Sequence, residues 1–306
     1  MTDIEMLKAL EVPTKPVDVV LDTDTYNEID DQYALAYLLK NGDKLKCKAI
    51  YAAPFFNNKS TSPEDGMYKS YDEIMKVLDF MDLGEMKANV YKGSTTYLPD
   101  ENTPVESEAA RHLVNLAGGY TKENPLYVVA IGAITNVASA IIMDKTITEK
   151  IVIVWLGGHA LEWPNNKEFN LYQDVAAARI IFGCGAPFVQ LPCCGVVSAF
   201  ASTKPELEKW FIGTTKIGDY LARNTIEFMS EYHKDDYPWS KVIWDVTAVA
   251  WLLNEKGRFM SERIIHAPIP EYDHHYALSQ DTHFMKYVYN INRDALFNDL
   301  IEKLTK

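Results

Sequence analysis

Short apolar runs alternate with amphipathic stretches through the first part of the chain. Residues 17–22, 47–53, 89–92, 126–131, 151–156 and 188–191 are compact apolar runs, most of them rich in β-branched side chains, and each is predicted as a strand. Between them, residues 30–39, 70–81, 134–143 and 174–182 are predicted as helices. In the second of these, Ile74, Val77, Leu78 and Met81 fall on one face at helical spacing. A strand that is apolar at nearly every position, and not at every second one, must be covered on both faces. The pattern therefore predicts a doubly wound α/β fold, with a mostly parallel central sheet and helices on either side. After about residue 200 the pattern turns mostly helical, over 205–211, 217–232 and 245–253. A strand-like pair at 263–269 and 286–291 then precedes a closing helix at 293–304. The sequence holds no repeat, low-complexity stretch or long linker, so residues 1–306 are expected to form one domain.

Composition narrows the partners. A hydrophobic content of 47% suits a globular core, and no stretch approaches the roughly 20 uncharged apolar residues that a membrane span needs. The first ten residues, MTDIEMLKAL, carry acidic side chains and lack the apolar centre of a secretory signal. A cytoplasmic location is expected. The net charge of −13 argues against nucleic acid, whose phosphates call for a basic stripe. Cys47, Cys184, Cys193 and Cys194 follow neither a disulfide framework nor a metal-ligand spacing, and the adjacent pair is expected to be buried free thiols.

The strongest chemical signal is VDVVLDTDTYNEIDDQYALAYLL. Val19 to Leu21 reads as the buried end of a strand, and the chain from Asp30 onward reads as a helix with Ala34, Leu35 and Leu38 turned inward. Asp22 and Asp24 then lie at the carboxyl end of a strand, and Asp30 and Asp31 at the next helix start. Ligands of open α/β sheets bind outside the carboxyl ends of the strands. Four carboxylates so close raise one another's pKa unless a cation or donors neutralise them. Oxygen ligands favour Ca²⁺ or Mg²⁺ over Zn²⁺.

Other readings stay open at this point. Helix capping needs one Asp and not four. An EF-hand loop calls for a central Gly that is missing here. The DxDx(T/V) signature of haloacid-dehalogenase-like phosphatases matches Asp22-Thr23-Asp24-Thr25, with Tyr26 where Thr or Val belongs. There Asp22 would be a nucleophile assisted by Mg²⁺, and Asp235-Asp236 the later acidic pair.

The run also resembles the DxDxxxDD fingerprint of the inosine–uridine nucleoside hydrolase family, with two extra residues between the Asp pairs. Three later segments resemble the same family in the same order: Gly132-Ala133-Ile134-Thr135-Asn136, then Gly157-Gly158 with Glu168-Phe169-Asn170, then Trp244-Asp245-Val246-Thr247-Ala248. The resemblance implies calcium-dependent hydrolysis of ribonucleosides to ribose and free base. It implies Asp24, Asp31, Asp245 and the Ile131 carbonyl as calcium ligands, and Asp24 also as general base toward a metal-bound water. Asp30, Asn57, Glu168 and Asn170 would contact the ribose, with Asp22 bracing the cluster. The enzyme would act as a homodimer or homotetramer on small nucleosides.

The chain departs from that pattern in three places. The fingerprint is two residues longer. Trp244 stands where the family often has a His that protonates the departing base; an indole cannot do this but can stack on the base. Glu162 stands where a loop Asn is usual, with Asn165 and Asn166 nearby. Replacement acids are sought in 232–239, a stretch otherwise read as a surface loop. His159, at a strand end, is placed to touch substrate, a position that a structural hydrogen bond would explain equally well. Asp273-His274-His275 reads as a solvated turn. Loss of the acid also leaves open a nucleoside- or ribose-binding protein without catalysis.

Overall fold

The computed structural model describes residues 1–233 and 237–306, so Asp235-Asp236 and part of the 232–239 stretch lie outside the described residues. The strands of the first half are β1 (Val17–Thr23), β2 (Leu45–Ala52), β3 (Val90–Lys92), β4 (Leu126–Ala130), β5 (Ile151–Leu156) and β6 (Phe188–Leu191). Those that follow are β7 (Ala201–Thr203), β8 (Ser240–Val242), β9 (Met260–His266), β10 (Ile269–Pro270), β11 (Tyr276–Ala277) and β12 (Phe284–Ile291). The helices up to the middle of the chain are α1 (Asp3–Ala9), α2 (Asp30–Lys40), α3 (Pro63–Phe80), α4 (Glu108–Ala117) and α5 (Thr135–Met143). Later come α6 (Phe169–Gln173), α7 (Val175–Gly183), α8 (Lys204–Trp210), α9 (Lys216–Tyr232), α10 (Val246–Trp251) and α11 (Arg293–Leu304).

Eight strands form one sheet in the order β3-β2-β1-β4-β5-β6-β12-β9, parallel throughout except for β9 at the edge. This is the doubly wound arrangement that the apolar runs predict. Alternate residues of each strand feed two separate cores. Val19 and Leu21 join Leu35, Ile74 and Val249 on one face, while Val20 joins Ala110, Val137 and Ala177 on the other. The same alternation aims the end of β1. Asp22 turns toward the α5 face and Thr23 toward α2. The chain leaves β1 for β2 on one side and reaches β4 on the other, so a crevice opens at the carboxyl ends of β1 and β4, where the winding reverses.

Several elements differ from the sequence expectations. Helix α3 starts at Pro63 and not at 70, capped by Ser62, whose Oγ accepts from Asp65 N at 3.1 Å, with Pro63 in the first turn. Helices α1 and α4 were not anticipated. The predicted strand 263–269 is divided: β9 ends at His266, and Ile269–Pro270 pairs with Tyr276–Ala277 in a small hairpin. Pro268 and Pro270 lack the N–H that a continuing ladder uses. The mostly helical last third also holds the antiparallel pair β7–β8. Asp273-His274-His275 lies in the turn between β10 and β11, as expected, with His274 at φ 65°. Among the described residues no helix is long and apolar enough to cross a membrane.

Candidate active site

Local sequence explains how the acidic run is held. Burial of Val20 and Leu21 fixes β1, and Asp22 is the last-but-one residue of that strand. Asp22 Oδ1 accepts from Asn136 Nδ2 at 2.8 Å, and Asn136 Oδ1 in turn accepts from Ser94 N and Oγ at 2.7 and 2.8 Å. Thr23 Oγ1 donates to Asp31 Oδ1 at 2.6 Å, tying the strand end to the first turn of α2. Neither Asp30 nor Asp31 caps that helix; its N-cap is Ile29, which makes no side-chain cap bond. Capping therefore does not account for the acidic pair.

Asp24 lies just past the strand. It is 1% exposed, yet neither carboxylate oxygen has a hydrogen-bond partner among the described residues. Gly132, after β4, lets it lie there: a Cβ on that residue would come within 3.0 Å of Asp24 Cγ. Asp245, at the start of α10, completes the group from the far side of the chain. Asp30, Asp31 and Asp245 each place one oxygen within 4.8 Å of the others.

These four residues line one cavity of about 160 Å³ together with Asn27, Glu28 and the Ile131 backbone at the end of β4. The opposite wall is Leu156, Glu168, Phe169, Asn170, Cys193 and Trp244. Asn170 spends both amide protons on the carbonyls of Ile131 and Leu156, at 3.0 Å each, which leaves its oxygen as the group to offer a ligand. Glu168 Oε1 accepts from Asn170 N, and Oε2 from Gly158 N and Leu171 N, all at 2.9 Å. A carboxylate has further lone pairs to turn to the cavity.

Electrostatics mark the cluster as incomplete. Burial, with the charges of Asp31 and Asp30, holds the Asp24 carboxyl well above its ordinary range. Burial, followed by Asp30, Asp31 and Asp24, does the same to Asp245. Burial pushes Asp31 up to about 7, with Asp30 adding to the effect. Asp30 rises less, to about 6, because Lys241 offsets part of its burial. Asp22 and Glu168 are each pushed up to about 7 by burial, against the hydrogen bonds they accept. Lys241 is 9% exposed and pairs with Glu28 beside Asp30. One lysine shared with Glu28 cannot balance four carboxylates. Oxygen ligands in excess of their counter-charge, two of them unpartnered, suit a hard divalent cation.

The sequence-derived residues are distributed as follows. Asp24, Asp30, Asp31, Ile131, Glu168, Asn170, Trp244 and Asp245 share the cavity. Asp22 sits behind it on Asn136, so it does not face a substrate as the phosphatase nucleophile must. Asn57 lies one contact back, its Nδ2 donating to Asn27 Oδ1 at 2.7 Å. Glu162 is exposed and near Arg263, Asn165 is engaged with the Lys167 backbone, and Asn166 Oδ1 accepts from His159 N at 2.7 Å. None of these three lines the cavity. His159 is buried and accepts on Nδ1 from Cys194 N at 3.2 Å. The four cysteines are free, as expected, and the adjacent pair Cys193 and Cys194 is half-buried where burial was anticipated.

Sequence reasoning missed Asn27, Glu28, Phe169, Cys193 and Lys241. Asn27 and Glu28 occupy the lengthened segment between Asp24 and Asp30, so the extra length was itself the signal. Phe169 stands between Glu168 and Asn170, inside a segment already singled out. Cys193 and Lys241 come from distant stretches with no spacing to betray them.

A profile of the inosine-uridine preferring nucleoside hydrolases matches residues 19–295. The pyrimidine-specific ribonucleoside hydrolase RihA of Citrobacter koseri is 32% identical over 136 residues, and RihA of Escherichia coli is 31% identical over 138 residues. These matches span 42% and 43% of this chain and the same shares of the relatives, less than half the length of either. Among solved structures, a plant nucleoside hydrolase superposes with a TM-score of 0.75 at 22% identity, covering 95% of this chain and 99% of that one. A purine-preferring ribonucleoside hydrolase from Gardnerella vaginalis gives 0.75 at 20% identity, covering 94% and 98%. At such identities the likeness is one of fold.

Proposed function

The chain belongs to the inosine-uridine preferring nucleoside hydrolase family, and from that premise we propose that it hydrolyses the N-glycosidic bond of ribonucleosides, releasing ribose and free base. The observation that carries this reading is Asp24, buried with both oxygens unpartnered beside three further carboxylates. We assign calcium to Asp24, Asp31, Asp245 and the Ile131 carbonyl. Asp30 lies close enough to share the ion or to face the sugar. A divalent cation held there supplies orientation of the vicinal ribose hydroxyls and raises the acidity of a water molecule.

The side chains do the rest. Asp24 takes a proton from the attacking water, as a carboxylate with both oxygens free of protein donors among the described residues can. Asp30, Glu168 and the Asn170 oxygen are acceptors and take hydrogen bonds from ribose hydroxyls. The anions of the cavity favour the positive charge that builds on the sugar as its bond to the base breaks. Asp22 orders the floor through Asn136, and Asn57 orders the wall through Asn27.

Trp244 supplies an aromatic wall and has no proton to give a leaving base. RihA is named for pyrimidines and the Gardnerella enzyme for purines. The indole here favours the larger stacking surface of a purine. The reading includes one domain, self-association as a dimer or tetramer, and a cytoplasmic site of action.

The test is release of free ribose from a panel of purine and pyrimidine nucleosides, with calcium and after chelation. Chelator-sensitive release, faster from purines, supports the whole reading. Release fastest from pyrimidines keeps the reaction and removes the purine assignment. Intact recovery of every nucleoside overturns the reaction in favour of a binding protein.

A further inference from the structure

Beside the carboxylate cavity stands a second group of metal-ligating side chains of a different chemical kind. His159, Cys193 and Cys194 each bring one ligand atom within 4.8 Å of the other two. His159 follows β5 and the two cysteines follow β6, so neighbouring parallel strands deliver them to the same sheet end.

The two loops are stitched together by backbone. Cys193 N donates to Gly158 O at 2.8 Å, Ala160 N to Cys194 O at 3.0 Å, and Ser198 N to Cys193 O at 3.1 Å. Gly158 and Gly195 both have positive φ, at 75° and 91°. A Cβ on Gly195 would meet that of Ala160 at 2.7 Å, so only glycine lets the loops approach this closely. The side chains thus converge on a frame that is already rigid. Burial holds the His159 imidazole below its ordinary pKa, in the neutral form that binds metals, and holds both thiols above theirs, so the thiolates form only as an ion binds. Trp163 lies against that ring, 5.9 Å between centroids. Cys193 also lines the carboxylate cavity.

We propose that His159, Cys193 and Cys194 form a site for a thiophilic metal cation of the Zn²⁺ class, separate in ligand type from the carboxylate cluster and open to the same cavity through Cys193. Two thiolates and an imidazole match the soft end of the divalent series, whereas the Asp cluster matches the hard end. In a tetrahedral zinc site, Zn–S bonds of about 2.3 Å put two sulfurs roughly 3.8 Å apart, so the present spacing closes with small side-chain movements. Binding releases the two thiol protons to solvent. It also exchanges the long Cys194 N–H···Nδ1 bond for a metal–nitrogen bond, or turns the ring to present Nε2. A water molecule completes four ligands. Resting on the nucleoside reading above, an ion on Cys193 narrows the cavity and competes with the substrate.

The experiment uses the full chain, saturated with calcium and reduced by a non-thiol reductant, titrated with Co²⁺. Near-ultraviolet thiolate-to-cobalt charge transfer, saturating at one ion per chain, is expected. Cys194→Ser should weaken cobalt binding about tenfold or more, and Cys193→Ala with Cys194→Ala should remove the band. His159→Asn should shift the visible bands of the bound ion. Should the double variant fail to fold, Cys193→Ser and Cys194→Ser singly carry the test. Absence of the band in the native chain, its survival in the double variant, or undiminished cobalt affinity and band intensity in the single variants overturns the site. This readout is independent of catalysis. If ribose release occurs, Zn²⁺ should inhibit it competitively in the native chain and more weakly in Cys194→Ser; equal inhibition of both overturns the link to the cavity.

Discussion

Each carboxylate of the cavity has a different surrounding, and those surroundings set its expected behaviour. Asp24 accepts no hydrogen bond from the described residues, so replacing it by Asn removes little that holds the fold together. Asp24→Asn should lower turnover by about 10²–10⁴-fold, the usual contribution of a positioned base. Its thermal midpoint without metal should stay level or rise, because a buried uncompensated anion has been removed. Undiminished ribose release would refute the assignment. Trp244→Ala should raise KM for purine nucleosides about tenfold, equivalent to about 1.4 kcal/mol of lost stacking, with less change in kcat; an unchanged KM would take the indole out of the base site. The carboxylates were legible in the sequence because four of them crowd into ten residues at a strand end. Lys241 was not, since it becomes the neighbour of Asp30 only when the folded chain brings it to Glu28, 213 residues away in sequence, an event no local pattern records. Asn57 shows the opposite failure, a residue in the right neighbourhood by sequence whose amide is spent on Asn27.

At the scale of elements, the six parallel strands of the first half were read accurately because a buried parallel strand leaves a run of apolar residues that little else produces. The helices were read less completely. Helix α4 was missed although its two faces differ sharply, with Ala109, Ala110, Leu113 and Ala117 buried and Glu108, Arg111 and Asn115 exposed. Helix α1 buries only Met6, and seven residues are too few to display a period. The start of α3 was hidden by Gly66, which reads as a helix breaker. It is there for closeness: a Cβ would collide with Phe55 O at 2.0 Å. A similar close approach yields a prediction at the turn between β4 and α5. In Gly132→Ala the new methyl meets Asp24 Cγ at 3.0 Å and Oδ1 at 3.1 Å, so the carboxylate must move. Displacing a catalytic group by a fraction of an ångström should reduce kcat on the order of 10–10²-fold. Far-ultraviolet circular dichroism should remain unchanged. Full activity in this variant would show that Asp24 is not held against the turn.

For the molecule as a whole, the acidic cavity is a source of instability that a cation removes, and the pKa shifts give this a sign. Asp22 and Asp31 move from an ordinary 3.8 up to about 7, Asp30 from 3.8 to about 6, and Glu168 from 4.5 to about 7. Between roughly pH 4 and pH 7 the folded chain therefore holds more protons on these groups than the unfolded chain does. When the folded state binds more protons, stability falls as pH rises, so these four groups should cost the metal-free protein stability from roughly pH 4 to 7, and the raised Asp24 and Asp245 act in the same direction. Calcium on the proposed site should act in the opposite direction, because it would bind the ionised carboxylates and compete with their protons. At pH 8, free calcium at 100 times its dissociation constant adds about 2.7 kcal/mol. At about 2–4 °C per kcal/mol for a chain of this size, the melting temperature should rise by roughly 5–10 °C. At pH 5 the same calcium should raise it by less than about a third as much, since protons already occupy part of the site. Differential scanning calorimetry at the two pH values, with calcium and with chelator, measures both shifts. An equal calcium shift at pH 5 and pH 8 would mean that the ion binds away from these carboxylates. The contrast also separates the two proposed metal sites: calcium should give the pH-dependent stabilisation in His159→Asn as in the native chain, and lose it in Asp24→Asn.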